Sequence, residues 1–234
     1  MTHKKSKKSS RIPRQRTKAG RRNVYFVTNE PVIDKSDNLT PEITLALNKI
    51  YDEIANHRPK PAIAELEALQ VKHPDVPKID NLLVAAHSML GHRDKINELA
   101  ETAYRKFPNY LFAKINYAQM LLSRGEFDAV PDIFDHKFDL MLLYPERRVF
   151  HVSEHTGFIS VLCAYFCCVG RQDIAQELYD SLLKIAPQSP VAAYARSFLK
   201  PSLRLRLILW MRRRNARTDD DIPPPPSSSY RFEA

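Results

Sequence analysis

The residues best suited to do chemistry are three cysteines and two histidines close together in the chain: His151, His155, Cys163, Cys167 and Cys168. Thiolates and imidazoles are the ligands that zinc takes. Cys163 and Cys167 share a helical face, and so do His151 and His155 if that stretch is helical. The rest of the pattern is missing. No second paired-cysteine element stands at zinc spacing, and the adjacent Cys167 and Cys168 point to different faces. The set predicts buried thiols, no metal and no cofactor. An odd cysteine count without a secretory signal predicts a reducing, cytoplasmic location.

Other chemistries find less support. The sequence holds no phosphate-binding glycine loop and no nucleophile elbow. His73, His87 and His92 are scattered over helix ends and faces, and acid pairs such as Asp52 and Glu53 suit solvated faces. The expectation is a non-enzymatic protein with no small-molecule substrate.

The elements that position these residues are helical. In the stretch Asn81 to Pro108, Leu82, Leu83, Ala86 and Leu90 precede Gly91, and Ile96, Leu99, Ala100 and Ala103 come after it. Three- and four-residue spacing is the period of an amphipathic helix. Gly91 suits a left-handed helix end, and Pro108 stops the second helix. The pattern recurs. Gly91, Gly125 and Gly170 are each followed three positions later by aspartate: Asp94, Asp128 and Asp173. Gly91 and Gly125 are 34 residues apart, and so are Pro74 and Pro108. Such self-similarity means stacked helical hairpins. Five glycines and few strand-like alternations argue against a β or α/β fold.

On these residues the chain resembles the tetratricopeptide repeat family over roughly 41–187. Ala103 and Ala175 match the small residues of that repeat's second helix. Ala118 and Cys163 match the small site of its first helix, with Phe166 and Tyr179 at its large and aromatic positions. Val84, Ile96 and Val130 depart from the pattern. The resemblance implies an all-α fold: a right-handed α-solenoid of about four helical hairpins plus a C-terminal pair of capping helices. The hairpins would be Thr40 to Pro74, then around Gly91, then Tyr110 to Tyr144 around Gly125 with Pro131 near the start of its second helix, then Gly157 to Pro187. The 45 residues from Gly125 to Gly170 exceed the period, and a loop over Pro145 to Glu154 would hold the excess, packed over the solenoid edge by Val149, Phe150 and Val152 or else touching a partner. Ser189-Pro190 opens the first capping helix and Pro201 ends it. Leu203, Leu207, Trp210 and Met211 form an apolar stripe on the second, which caps the solenoid or lies at a membrane interface.

The chain divides into three regions: a basic disordered tail over 1–37, the repeat domain over 38–217, and a disordered Pro/Ser-rich tail over 218–234. Val24 to Val27 is too short to be more than an extended anchor. The formal charge of +9 belongs to the ends. Ten cations, Lys4, Lys5, Lys7, Lys8, Arg11, Arg14, Arg16, Lys18, Arg21 and Arg22, crowd residues 1–22 without one acid. Residues 23–199 hold eighteen basic against twenty-three acidic residues.

The resemblance implies that Lys78, Asn81, Ser88, Phe112, Gln119 and Ser160 line a concave groove that binds a segment of another protein. It does not extend to the chaperone-binding subset, because Leu82 and Ala85 stand where polar groups are needed. The protein is therefore expected to be a binding scaffold or adaptor. A second class is a nucleic-acid- or ribosome-associated factor acting through the basic termini, which could also touch an anionic membrane. Steep salt dependence of polyanion binding would mark that class.

Overall fold

The computed structural model describes residues 24–32, 37–201, 203, 206–207 and 222–233. Strand β1 (Val24–Thr28) precedes five consecutive helices: α1 (Pro41–Ala55), α2 (Pro59–Lys72), α3 (Pro77–Leu90), α4 (Arg93–Lys106) and α5 (Leu111–Arg124). A 3-10 turn (Phe127–Ala129), α6 (Val130–Ile133) and α7 (Leu140–Leu143) are short. Then come β2 (Val149–His151), α8 (Val152–Val169), α9 (Gln172–Ile185), α10 (Pro190–Leu199) and β3 (Ser229–Glu233).

Local chemistry accounts for the helix ends. The Thr40 side chain accepts from the Ile43 amide, and Pro41 fills the first turn of α1, where no N–H is needed. Ile43, Leu47 and Ile50 then bury one face. Gly125 closes α5 at φ +75°, with the Glu126 amide on the Leu121 carbonyl at 2.8 Å. That six-to-one bond needs a left-handed residue, which a Cβ disfavours. Gly91 and Gly170 close α3 and α8 in the same way. Asp94 and Asp173 fall in the first turns of α4 and α9, where a carboxylate suits the helix dipole.

Each of α1 to α5 packs on its chain neighbour, and α3 also touches α1 and α5. After Gly125 the pattern changes. The third pair has no long second helix, because Asp135 and His136 both take positive φ and end α6. Phe134 and Phe138 from this irregular stretch plug into the core instead, and α5 packs directly on α8. Helix α8 is the centre of the molecule, buried at every position from Glu154 to Cys168. Among the described residues it is the one helix long and apolar enough to cross a membrane, but most of it is inside the fold. Its neighbours are α5, α9, α10 and strands β1 and β2.

Several expectations are corrected. The molecule is mainly helical but carries a three-stranded parallel sheet of order β2-β1-β3. Val24 to Thr28 is the middle strand, with Tyr25 and Val27 in the core, so it is more than an anchor on a tail. Ser229 to Glu233 pairs with it, Val24 against Ser229 through Thr28 against Glu233, and so is not a solvated tail. Pro145 to Glu154 packs inward through Phe150 as expected, but it is not loop throughout. It contains β2 and the first turn of α8, and Phe150 is fully buried. The extra length between Gly125 and Gly170 lies in the irregular stretch after the 3-10 turn and in α8, which has 18 residues against 14 in α5. Leu203 and Leu207, expected on a packed capping helix, are exposed. Residues 1–22, Trp210 and Met211 lie outside the described residues.

Candidate functional site

The cysteines do not form a reactive site. All three are free and buried. The Cys163 thiol lies 3.3 Å from the Ala175 carbonyl, so two of the expected small residues meet where α8 crosses α9. A hydrogen bond with Cys167, together with burial, pushes the Cys163 thiol far up, away from the thiolate that a nucleophile or ligand requires. His151 is used as the cap of α8: its Nδ1 accepts from the Ser153 amide at 3.2 Å. Among the described residues no three His, Cys, Asp or Glu side chains gather as metal ligands. His87 and His92 hydrogen-bond to each other through Nδ1 at 3.1 Å across the turn after α3.

The expected groove residues fall mainly on two helices. Lys78, Asn81, Ala85 and Ser88 recur at three- and four-residue spacing along α3, and Phe112, Asn116, Gln119 and Ser123 do so along α5. The Asn116 Nδ2 donates to Asn81 Oδ1 at 3.1 Å and joins the two rows into one face. Lys78, Asn81, Phe112 and Gln119 are half-buried on it, and Ser88 is exposed. Phe112 leans on Tyr110, with ring centroids 5.8 Å apart, and forms part of the floor. Ser160 is a correction. It is fully buried, and its hydroxyl donates to the Gly157 carbonyl at 2.7 Å, so the face ends before α8.

This face has a definite chemistry. Each asparagine amide carries donors and an acceptor. With Asn81 Oδ1 and one Asn116 N–H paired, the Asn81 NH2 and the Asn116 carbonyl oxygen are left for other partners. A donor and an acceptor on one face can pair with the C=O and N–H of a single residue in an extended chain, since those two groups lie on the same edge of a strand. Lys78 adds a cation at one end, and Phe112 adds an apolar surface.

A second polar constellation lies at the sheet. Asp139 caps α7 through the Met141 amide at 2.9 Å. Its carboxylate also accepts the amides of Ser227 and Ser228, at 3.0 and 2.7 Å, and both their hydroxyls, at 3.3 and 2.8 Å. Burial pushes the Asp139 carboxyl up, but the bonds from Ser228, Met141 and Ser227 outweigh it and hold the group below its ordinary value. Tyr25 bonds His155 Nδ1 at 2.8 Å, and the Tyr230 ring lies 4.4 Å from the His155 ring. Burial drives His155 down to about 4, so the ring is neutral. The Tyr25 hydroxyl is pushed up by burial and then by Asp139 and Tyr230, so it stays protonated beside the neutral ring.

No family model matches the chain, and neither a curated protein nor a solved structure matches it.

Three functional-looking groups escape sequence reasoning. Asp139 reads as one more acid among many, since its partners are 88 and 89 residues away. Lys114 is buried in α5, with its ammonium on the Ile133 carbonyl and 3.9 Å from Asp135. Burial lowers its pKa against the pull of Asp135. It pins the end of α6 to α5, which a structural lysine does and a free base does not. Arg147 forks onto Glu154 at 2.9 and 2.7 Å and covers the Phe150 ring at 4.3 Å, fixing β2 at the start of α8.

Proposed function

We propose that the protein is a non-enzymatic adaptor of tetratricopeptide type, with helical pairs stacked as a right-handed solenoid. It binds an extended segment of another protein along the face shared by α3 and α5. The observation that carries this reading is the Asn81–Asn116 hydrogen bond, which joins the two helices into one face and leaves an amide donor and an amide acceptor on it for a backbone. The recurrent glycine-closed helices support it, since they align their first helices side by side. Three buried thiols that stay reduced suit a cytoplasmic setting.

Panning a displayed library of random linear peptides against the full chain tests this reading. Enriched peptides should bind, and the Phe112→Ala/Gln119→Ala protein should bind them at least about tenfold more weakly while keeping its helical circular dichroism. Interface energy concentrates in desolvated aromatic contacts, and about 1.4 kcal/mol is tenfold in affinity. Equal affinity for a folded double variant would remove Phe112 and Gln119 from the site.

A further inference from the structure

The segment Ile222–Glu233 sits against the rest of the fold as a bound peptide would. It adds a parallel strand to the edge of β1, with five residues in register. Backbone pairing of this kind gives affinity without sequence preference, and side-chain pockets supply the selectivity. Here there are two. Asp139, 3% exposed, takes four hydrogen bonds from Ser227 and Ser228, amides and hydroxyls alike. A residue pair with fewer than two side-chain hydroxyls could not repeat that set. Two residues on from Ser228, the Tyr230 ring rests on His155, and its hydroxyl meets the Ser181 hydroxyl at 3.0 Å. Beyond Tyr230 the grip loosens: Arg231 and Phe232 are exposed.

The connection to this segment is long. Twenty residues, 202–221, separate Pro201 from Ile222. Positions 203, 206 and 207 are helical, and the fourteen residues beyond them could span at most about 46 Å. A globule of this length has a radius of gyration of about 17 Å, so the reach is comparable to the breadth of one molecule.

We propose that the β1 edge, with Asp139, Ser181 and the Tyr25–His155 pair, is a strand-binding site selective for a Ser-Ser-x-Tyr segment, and that two copies of the chain exchange this segment reciprocally. The site is separate from the α3/α5 face, and the proposal stands whether or not that face binds peptides.

The test uses the full chain and a fluorescent synthetic peptide of the sequence of residues 222–233, followed by anisotropy. In the wild-type protein the tethered segment competes at an effective concentration in the millimolar range. The Ser227→Ala/Ser228→Ala/Tyr230→Ala chain has a weakened tethered segment and an intact site. It should bind the peptide at least about tenfold more tightly than wild type does. Peptides carrying Ser228→Ala or Tyr230→Ala should lose at least about tenfold on that same protein, a comparison that leaves its fold untouched. A folded triple variant no tighter than wild type, or peptide variants that bind equally, would overturn the site. Exchange is read separately. Isotopically heavy and light chains bearing Val24→Cys and Ser229→Cys, which face each other across β1 and β3, are mixed at high concentration and then oxidised. Heavy–light disulfide-linked pairs are expected, and linkage confined to single chains would overturn the exchange.

Discussion

The Phe138→Ala protein is expected to unfold with about 3–5 kcal/mol less free energy than wild type, the cost of emptying a filled aromatic site. Phe138 lies in the irregular stretch between α6 and α7 and is 2% exposed. Its ring meets Tyr165 edge-on at 5.0 Å, Phe166 at 5.8 Å and Phe134 at 6.2 Å. Tyr165 and Phe166 belong to the central helix α8, so the cavity would open against the most buried element. The neighbouring helices are fixed by many other contacts and cannot collapse into it. Edge-to-face pairs add about 0.5–1.5 kcal/mol each to what area alone provides. Urea unfolding of Phe138→Ala beside Leu142→Ala, a change at an exposed leucine nearby, measures the effect. The second variant should stay within about 0.5 kcal/mol of wild type. A loss under about 1 kcal/mol in Phe138→Ala would mean that this stretch does not hold α8.

The second large effect is on pH dependence. His155 has its pKa lowered to about 4 by burial, against an ordinary value near 6.5. Between these two values the unfolded chain binds a proton that the folded chain does not. Stability therefore rises with pH through this window, is full above about 6.5, and falls as pH drops towards 4. The whole loss amounts to about 3 kcal/mol. His87 is also lowered, by burial and by His92, and acts in the same direction. Asp139, with its carboxyl held low, keeps its contribution until the pH passes below the ordinary carboxylate range. A comparison with His155→Gln isolates His155, because the glutamine amide does not titrate and can donate to or accept from the Tyr25 hydroxyl. Urea unfolding at about pH 7.5 and pH 4.5 should show wild type losing on the order of 2 kcal/mol more than the variant. Parallel losses in the two proteins would show that His155 titrates normally.

Where helix ends are set by nearest neighbours, the sequence is a good guide. Pro41 begins a helix, Gly91, Gly125 and Gly170 end them, and Ser189-Pro190 opens α10. These are local effects of fixed φ, a missing N–H and a tolerated left-handed residue. The sheet was not legible for the opposite reason. Its strands have five, three and five residues, and parallel pairing joins Tyr25 to Tyr230 across almost the whole chain. Neither Val-Tyr-Phe-Val-Thr nor Ser-Tyr-Arg-Phe-Glu declares a partner, and a proline run before the latter imitates a solvated tail. Residues 130–139 misled similarly. Val130-Pro131 has the look of a helix start, but the path of the chain beyond it is fixed by Phe134 and Phe138 plugging into the core against α8.

The candidate face was legible in part. The resemblance to the repeat family implied Asn81 and Ser88 on one row and Phe112 and Gln119 on another. It could not show that Asn116 joins the rows, because that depends on the packing of α3 against α5. Ser160 failed because the repeat pattern assumes that the first helix of every pair keeps an open face, whereas α8 is covered on all sides by α5, α9, α10 and the sheet.

The most direct test of a peptide-binding face is the calorimetric titration of one library-selected peptide into wild type and into Asn81→Ala/Asn116→Ala. Both asparagines are half-buried on the surface, so the variant should fold. Losing two hydrogen bonds to a peptide backbone, at about 0.5–1.5 kcal/mol each, predicts a Kd roughly tenfold or more higher. An unchanged Kd in a folded Asn81→Ala/Asn116→Ala protein would contradict the assignment of the α3/α5 face as the binding site.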